Sequence, residues 1–447
     1  MKLPQPPPDL SSLLATIDPT DITKILASEP GPLVNEAYLH WEELRHRTPP
    51  GGLDHERWWL GLRLARQALL KPLPLLDKKG RPFLFGSPDP VQIDLHHIDQ
   101  DAAGEIKSAT ETTPAARDRY LLRSVIEEAI TSSQLEGAST TRKVAADMLR
   151  SGRSPRDRSE QMIFNNYLAM QAIQGFKNEP LTPARVLDIH RRVSEHTLDD
   201  PRDVGRLRQS NDIHVVDNDD GTILHQPPDH HELPERLERV CAFANAGEDQ
   251  RPFVHPVLRA ILLHFMIGYD HPFADGNGRT ARALFYWSML RSGYWLAEFI
   301  SISHILRKAP AQYGRAYLFT ETDGGDTTYF LIHQLATMRK AVQNLHDYLT
   351  RKAKEQRGME RLLAESPALH ARLNHRQKAL LTHALKHPGA GYRVETHQRT
   401  HGVVNQTART DLLQLAELGL LEKVKEGRAF LFLAPEDLAA RMARLES

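Results

Sequence analysis

Two apolar runs, Val257 to Tyr269 (VLRAILLHFMIGY) and Ala283 to Leu290 (ALFYWSML), flank the polar stretch HPFADGNGRTAR, His271 to Arg282. Runs of this composition are core helices, so the fold must carry a polar connection between two buried elements. A plain connection needs only to be short and polar. This one holds a histidine, an acid, two glycines, an asparagine and two arginines. Helix packing does not call for that inventory; binding and moving a phosphate does.

Each part has a physical use. Gly276 and Gly278 permit positive φ and a close approach of backbone to ligand. Asn277 or its neighbour opens the second helix, so that unpaired N–H groups and the positive dipole end face the connection. Arg279 and Arg282, three apart on that helix, project as two forks for phosphate oxygens. Asp275 is a hard oxygen ligand for Mg²⁺ beside the anion site. His271, with an ordinary pKa of about 6.5, can accept a hydroxyl proton. Taken singly, Gly-x-Gly reads as a turn and a lone His or Arg as surface; the set carries the reading. No Walker loop is present, since Gly-Lys-Ser/Thr is missing.

Position for position the stretch resembles HPFx(D/E)GNGRxxR, the signature of the Fic (filamentation induced by cAMP) family. The resemblance implies a mainly α protein with an all-α Fic core and a β-hairpin flap. It implies transfer of AMP from ATP to a Tyr, Thr or Ser hydroxyl of a target protein or of the chain itself, with Mg²⁺ as cofactor. His271 then takes the hydroxyl proton and Asp275 holds the metal. The backbone from Gly276 to Gly278 cradles phosphates, Asn277 orients the α-phosphate, and Arg279 and Arg282 hold the distal ones. Thr280 and Ala281 belong to the same nucleotide-binding turn, and a tyrosine further on, Tyr313, contacts the nucleotide. Phe273 anchors the loop and Pro272 stiffens it.

Upstream, Leu121, Leu122, Val125, Ile126 and Ile130 repeat at helical steps. That helix runs into Ser132-Ser-Gln-Leu-Glu136-Gly137. Locally Gly137 is a C-cap and Ser132 a surface serine. The same segment fits the Fic inhibitory motif (S/T)xxxE(G/N), and its place before the core is similar to the subclass with an N-terminal inhibitory helix. In that reading Glu136, with Ser132 and Gly137, restrains the enzyme. Its carboxylate pairs bidentately with Arg282, takes the place of a γ-phosphate and turns the α-phosphorus away from the attacking hydroxyl.

The rest of the chain divides into an α-rich N-terminal extension (1–115), the Fic core (116–350), a connecting helix (351–370) and a C-terminal module (371–447). In the extension, helices are expected at Asn35–Arg47 and Glu56–Leu70, with Trp58, Trp59 and Leu62 as core anchors, and a strand at Phe83–Phe85. In the core, a helix spans Ser159–Ile173, and Thr182-Pro183 starts another in which His190 is a core or surface residue. A hairpin is expected at about 211–227 through Asn218-Asp-Asp-Gly221; as a flap, its edge would hold a target segment by strand addition. His225, His230 and His231 lack a second cluster with zinc-ligand spacing. Further helices are expected at Gln312–Phe319, Gly324–Arg339 and around Lys352–Arg357. The last segment reads as helices at Arg376–Lys386, Val394–Thr400 and Asn405–Leu418, then a hairpin at Leu421–Phe432 with Lys425–Arg428 at its tip. It resembles a winged helix-turn-helix, with Gln406, Thr407 and Arg409 placed for a DNA major groove; the competing reading is a dimerisation or protein-contact module.

At 447 residues the chain exceeds one ordinary core. Lys plus Arg equals Asp plus Glu at 57 each, so no global field steers it toward nucleic acid or membrane. Cys241 is the one cysteine, which excludes an internal disulfide and fits a reducing cytoplasm. The start, MKLPQPPPDL, is proline-rich rather than signal-like, and no apolar run nears the ~20 residues that span a bilayer. The Fic subclass with an internal inhibitory helix implies a homodimer. Three other readings stay open: removal of AMP by the same site, a different nucleotide or phosphocholine donor, and a DNA-binding regulator whose Fic core senses nucleotide.

Overall fold

The computed structural model describes residues 2–102, 114–217, 220–387, 389–426, 429–435 and 437–446. It is mainly helical with a few short strands, the class expected. Contacts divide it into two compact units, Met1–Glu105 with Leu121–Gln343, and Ile106–Tyr120 with Asn344–Ser447.

In the first unit, α1 (Leu10–Thr16), α2 (Pro19–Ala27), α3 (Trp41–Leu44) and α4 (His55–Gln67) close around Trp41, Trp58, Trp59 and Leu62. The helix expected over Asn35–Arg47 shrinks to α3. Asn35 and Glu36 take positive φ values of 47° and 65°, and Val34 bridges back to Ala37. Strands β1 (Lys71–Leu76) and β2 (Pro82–Phe85) form an antiparallel hairpin. β1 was hidden by its two prolines, which sit on its exposed side while Leu73 and Leu75 point into the core.

After α5 (Asp89–Ala102) come α6 (Pro114–Leu135), α7 (Arg142–Ser151), α8 (Arg158–Gly175) and α9 (Pro183–Ser194). Thr182 caps α9 through the Arg185 N–H, with Pro183 at its first turn, as the sequence indicates. A two-stranded antiparallel hairpin, β3 (Val215–Val216) and β4 (Ile223–His225), follows; Asn218 and Asp219 of its expected turn lie outside the described residues. Next come α10 (Leu233–Asn245), α11 (Pro256–Asp270) and α12 (Asn277–Arg291). These last two are the expected core pair: every residue from Val257 to Ile267 and from Arg279 to Leu290 is buried. α13 (Ile302–Leu306), α14 (Pro310–Thr322) and α15 (Thr328–Glu365) complete the run. α15 begins only after a turn in which Gly324 and Gly325 both have positive φ. It joins in one helix the segments read separately around Gly324–Arg339 and Lys352–Arg357.

The N-terminal elements are bonded into this core. Arg66 donates to the Pro32 and Leu39 carbonyls and to Tyr329 Oη, Tyr38 donates to Asp326, and Leu84 exchanges backbone bonds with Gly325 and Thr327.

The second unit contains α16 (Pro367–Arg372), α17 (His375–Lys386), α18 (Val394–His401), α19 (Asn405–Glu417) and α20 (Leu438–Glu446). Its antiparallel sheet runs β5 (Gly391–Tyr392), β7 (Ala429–Leu433), β6 (Glu422–Glu426). Three helices and the hairpin lie where the sequence put them; α16, β5 and α20 are additions. Gly427 and Arg428, at the hairpin tip, lie outside the described residues. Leu381, Leu412, Leu415, Leu420 and Met442 form its core, and Asp411 ties Arg376, Asn374 and His397 together. Among the described residues no helix is long and apolar enough to cross a membrane.

Trp287, fully buried on α12, anchors the central pair. Trp287→Ala should cost about 3–5 kcal/mol of stability, read as a lowered midpoint in urea unfolding followed by circular dichroism.

Candidate active site

The site forms where the carbonyl end of α11 meets the N–H end of α12. His271 follows the last residue of α11 and takes the left-handed conformation, φ 45°, ψ 56°, with its N–H bonded to the Ile267 carbonyl. Its Nδ1 lies 3.1 Å from the Gly268 carbonyl. A carbonyl only accepts, so Nδ1 carries the proton and Nε2 presents a lone pair. Burial pushes the imidazole down to about 4, with the Gly268 carbonyl pulling the other way. The ring is therefore neutral near pH 7 and able to accept a proton.

The loop between the helices is held from inside. Phe273 is fully buried, its ring stacked 3.7 Å from that of His190. The Asn277 side chain accepts from the Phe273 N–H and donates to the Phe273 carbonyl, both at 2.9 Å. The Asn277 amide thereby closes the loop on itself. His190 Nε2 donates to the Asp275 carbonyl at 2.9 Å, and its Nδ1 accepts from the Gly205 N–H at 3.1 Å. Burial lowers this ring to about 4, matching the neutral tautomer those bonds require. Of the two readings left open, His190 takes the core one, 0 % exposed, and it also shapes the site.

Gly276, at φ 82°, turns the chain into α12, and the Thr280 N–H makes the first intrahelical bond, to the Gly276 carbonyl. Ahead of that bond, the N–H groups of Asn277, Gly278 and Arg279 are the helix's unpaired donors. Gly278 does not need positive φ, as the sequence reading supposed; it needs room. A Cβ there would lie 2.1 Å from Glu136 Oε1 and 2.9 Å from Arg282 Nη1. Thr280 and Ala281 are 0 % and 1 % exposed, and the Thr280 hydroxyl has no hydrogen-bond partner among the described residues.

Arg279 is wholly buried; Nη1 donates to the Val193 carbonyl at 2.6 Å. Its Nε and Nη2 have no hydrogen-bond partner, and Nη2 lies 3.6 Å from Asp275 Oδ2. Asp275 keeps 46 % of its side chain exposed, with Arg158 Nη2 at 3.9 Å. Orphaned guanidinium donors, free helix N–H groups and an accessible carboxylate together fit a phosphate group with a divalent cation.

Glu136 lies one residue beyond α6. Its Oε1 accepts from Arg282 Nη2 at 2.7 Å, while Ser132 takes Arg282 Nε on its hydroxyl (2.8 Å) and Nη2 on its carbonyl (3.0 Å). The pair is single, not the bidentate one expected, because Ser132 occupies the Nε position of the fork. Burial raises the Glu136 carboxyl, and Arg282 more than offsets this, holding it below the ordinary carboxylate range. Gly137, at φ 91°, lets the chain turn away. Tyr313 is half-buried, its hydroxyl 2.8 Å from His264 Nε2 and 3.5 Å from that of Tyr317.

The sequence motif thus brings together His271, Asp275, Gly276, Gly278, Arg279, Arg282, Ser132 and Glu136. Gln406, Thr407 and Arg409 lie in the second unit at the start of α19, with Gln406 and Arg409 exposed and Thr407 half-buried. The three histidines do not converge. His230 and His231 group with Asp229, while His225 stands between the Glu321 carboxylate (2.8 Å) and the Tyr269 carbonyl (2.7 Å). Sequence reasoning missed His190 and Arg208 as builders of the site.

Residues 180–289 match the family model described as "Fic/DOC family", so the chain carries a Fic domain. Over 120 residues it is 38 % identical to a protein of Nematostella vectensis named "Protein adenylyltransferase Fic", covering 26 % of this chain and 25 % of that protein. An Aedes aegypti protein of the same name is 29 % identical over 214 residues, 45 % of this chain and 40 % of that one. The chain thus spans a quarter to two fifths of the length of these curated relatives. The crystal structure of a Fic family protein from Desulfovibrio desulfuricans G20 superposes with a TM-score of 0.50 at 17 % identity, covering 78 % of this chain and 96 % of that one, a likeness of fold.

A proton titration of His271 by NMR should give a midpoint at about 4 instead of the ordinary value of about 6.5. Activity that needs a neutral His271 is then lost only as pH falls toward that midpoint.

Proposed function

We propose that the chain is a protein adenylyltransferase that moves AMP from ATP to a side-chain hydroxyl, restrained by its own Glu136. The observation that carries the reading is the pairing of a free His271 Nε2 with an anion-binding helix start whose Arg279 has unused donors. The names of the relatives, "Protein adenylyltransferase Fic", support it over their matched segments.

In this mechanism the hydroxyl oxygen attacks the α-phosphorus, the bond to the β-phosphate oxygen breaks, and pyrophosphate leaves. The hydroxyl proton passes to His271 Nε2. The N–H groups of Asn277, Gly278 and Arg279 hold phosphate oxygens, and Arg279 and Arg282 hold the distal ones. Asp275 would hold Mg²⁺, which when bound supplies neutralising charge at the phosphates. Glu136 competes for Arg282, so that ATP can bind only with its distal phosphates displaced; a misplacement of about 1 Å can cost on the order of a hundredfold in rate. Tyr313 borders the nucleotide, and the β3–β4 hairpin is the flap along whose edge a target segment lies. The proposed assembly is a homodimer and the proposed compartment the cytoplasm.

With α-³²P-labelled ATP, Glu136→Gly should raise self-labelling, and His271→Ala in that background should abolish it while leaving the circular dichroism spectrum intact. A folded Glu136→Gly protein that takes up no ATP with magnesium in calorimetry would overturn the assignment.

For the second unit we propose a winged helix-turn-helix that binds DNA. Exposed Gln406 and Arg409 open α19, and β6–β7 is the wing. In a gel shift the full chain should retard duplex DNA, and Arg409→Glu should weaken binding and flatten its salt dependence. Retardation by neither form at low salt would favour a protein-contact module.

A further inference from the structure

We infer that Arg208 is a positioning residue that binds the flap hairpin and the proposed base, His271, into one moving part. Only the word base rests on the reading above; the linkage itself is geometric.

Arg208 is 4 % exposed and uses its whole fork on backbone and amide oxygens. Nε donates to the His271 carbonyl at 2.9 Å, and the Arg208 backbone N–H donates to the Pro272 carbonyl, also at 2.9 Å. On its other side, Nη1 donates to the Ser210 carbonyl at 2.7 Å and to Asn211 Oδ1 at 3.1 Å, and Nη2 donates to the Pro228 carbonyl. Ser210 precedes β3 and Pro228 follows β4, so one guanidinium grips both feet of the hairpin and the histidine together. Asn211 reinforces the base of the flap, donating to Asp229 Oδ2 at 2.8 Å and accepting from the His230 N–H at 2.9 Å.

The grip matters because of the conformation it holds. A histidine at φ 45° is uncommon for a residue with a Cβ and persists only where its surroundings enforce it. In that conformation the Nδ1 proton reaches the Gly268 carbonyl, and this bond is what leaves Nε2 unprotonated. Without Arg208, the His271 carbonyl loses its buried partner, the residue is freed to relax, and the tautomer is no longer dictated. Lysine cannot substitute: it offers one compact charge where the guanidinium places four N–H bonds on acceptors on two sides. Anything that seats against the flap therefore bears, through Arg208, on the alignment of His271.

The test is Arg208→Lys, made in the natural chain and in the Glu136→Gly background. In ¹⁵N NMR the natural chain should show His271 as the Nδ1–H tautomer, and Arg208→Lys should show a mixture. Hydrogen–deuterium exchange should quicken together in residues 210–228 and 268–273. In the Glu136→Gly background the rate of self-labelling at saturating ATP should fall roughly a hundredfold, with KM for ATP little changed, since the start of α12 is untouched. An unaltered tautomer, or faster exchange in one segment alone, overturns the inference. If Arg208→Lys does not fold, Asn211→Ala unties one foot of the flap; faster exchange in both segments supports the linkage, and in the flap alone defeats it. A Glu136→Gly parent that transfers no AMP would sink the adenylyltransferase reading, while tautomer and exchange would still decide the role of Arg208.

Discussion

Arg282 is 2 % exposed, and a guanidinium in that position must find acceptors among its neighbours. The end of α6 supplies them: the Ser132 hydroxyl and carbonyl, and the Glu136 carboxylate. Taking one partner from a buried pair costs about 3–5 kcal/mol when nothing replaces it. α6 itself is seated by Ile126 and Ile130 in a core shared with α7 and α8, and by Glu128, which accepts from Ser301 and Ser303. The carboxylate over Gly278 is thus delivered by a rigid element. A phosphate offers the same kind of acceptor, so the proposed restraint and the proposed substrate compete for one cation without the cation losing its ligation.

The chemistry of the site follows from two helix ends meeting at a corner. Carbonyls are left over at the end of α11, and one of them, Gly268, sets the tautomer of His271. N–H groups are left over at the start of α12, and these are the donors of the proposed anion site. Neither end could supply both functions. The corner that joins them is closed by buried groups: Phe273 on His190, and Asn277 on the Phe273 backbone.

Elements far away in sequence hold the corner in place. Asp270, just before His271, accepts from Arg236 at 2.7 Å, and Arg236 also donates to the carbonyls of Leu76 and Asp77 in the N-terminal hairpin region. His225 on β4 donates to the Tyr269 carbonyl. The N-terminal segment is therefore part of the support of the site, not merely an appendage to it, and the flap is fastened to α11 in its strand as well as at its feet.

What the sequence determined by itself was whatever rests on local chemistry. Apolar period placed α6, α8, α11 and α12, Thr182-Pro183 started α9, and the loop's inventory marked the site. These signals are local because caps, turns and helical faces are made by residues a few positions apart. The tertiary structure alone decided the rest. It showed that Asn35–Arg47 could not stay helical, that β1 could exist despite its prolines, that Asn277 closes the loop, and that Gly278 makes room for Glu136. It also decided that Arg282 is shared between Ser132 and Glu136, and that His190 and Arg208 hold the corner. Each of those outcomes depends on a partner dozens of residues away or on a backbone angle set by packing, and no spacing along the chain encodes which distant carbonyl a buried donor will reach.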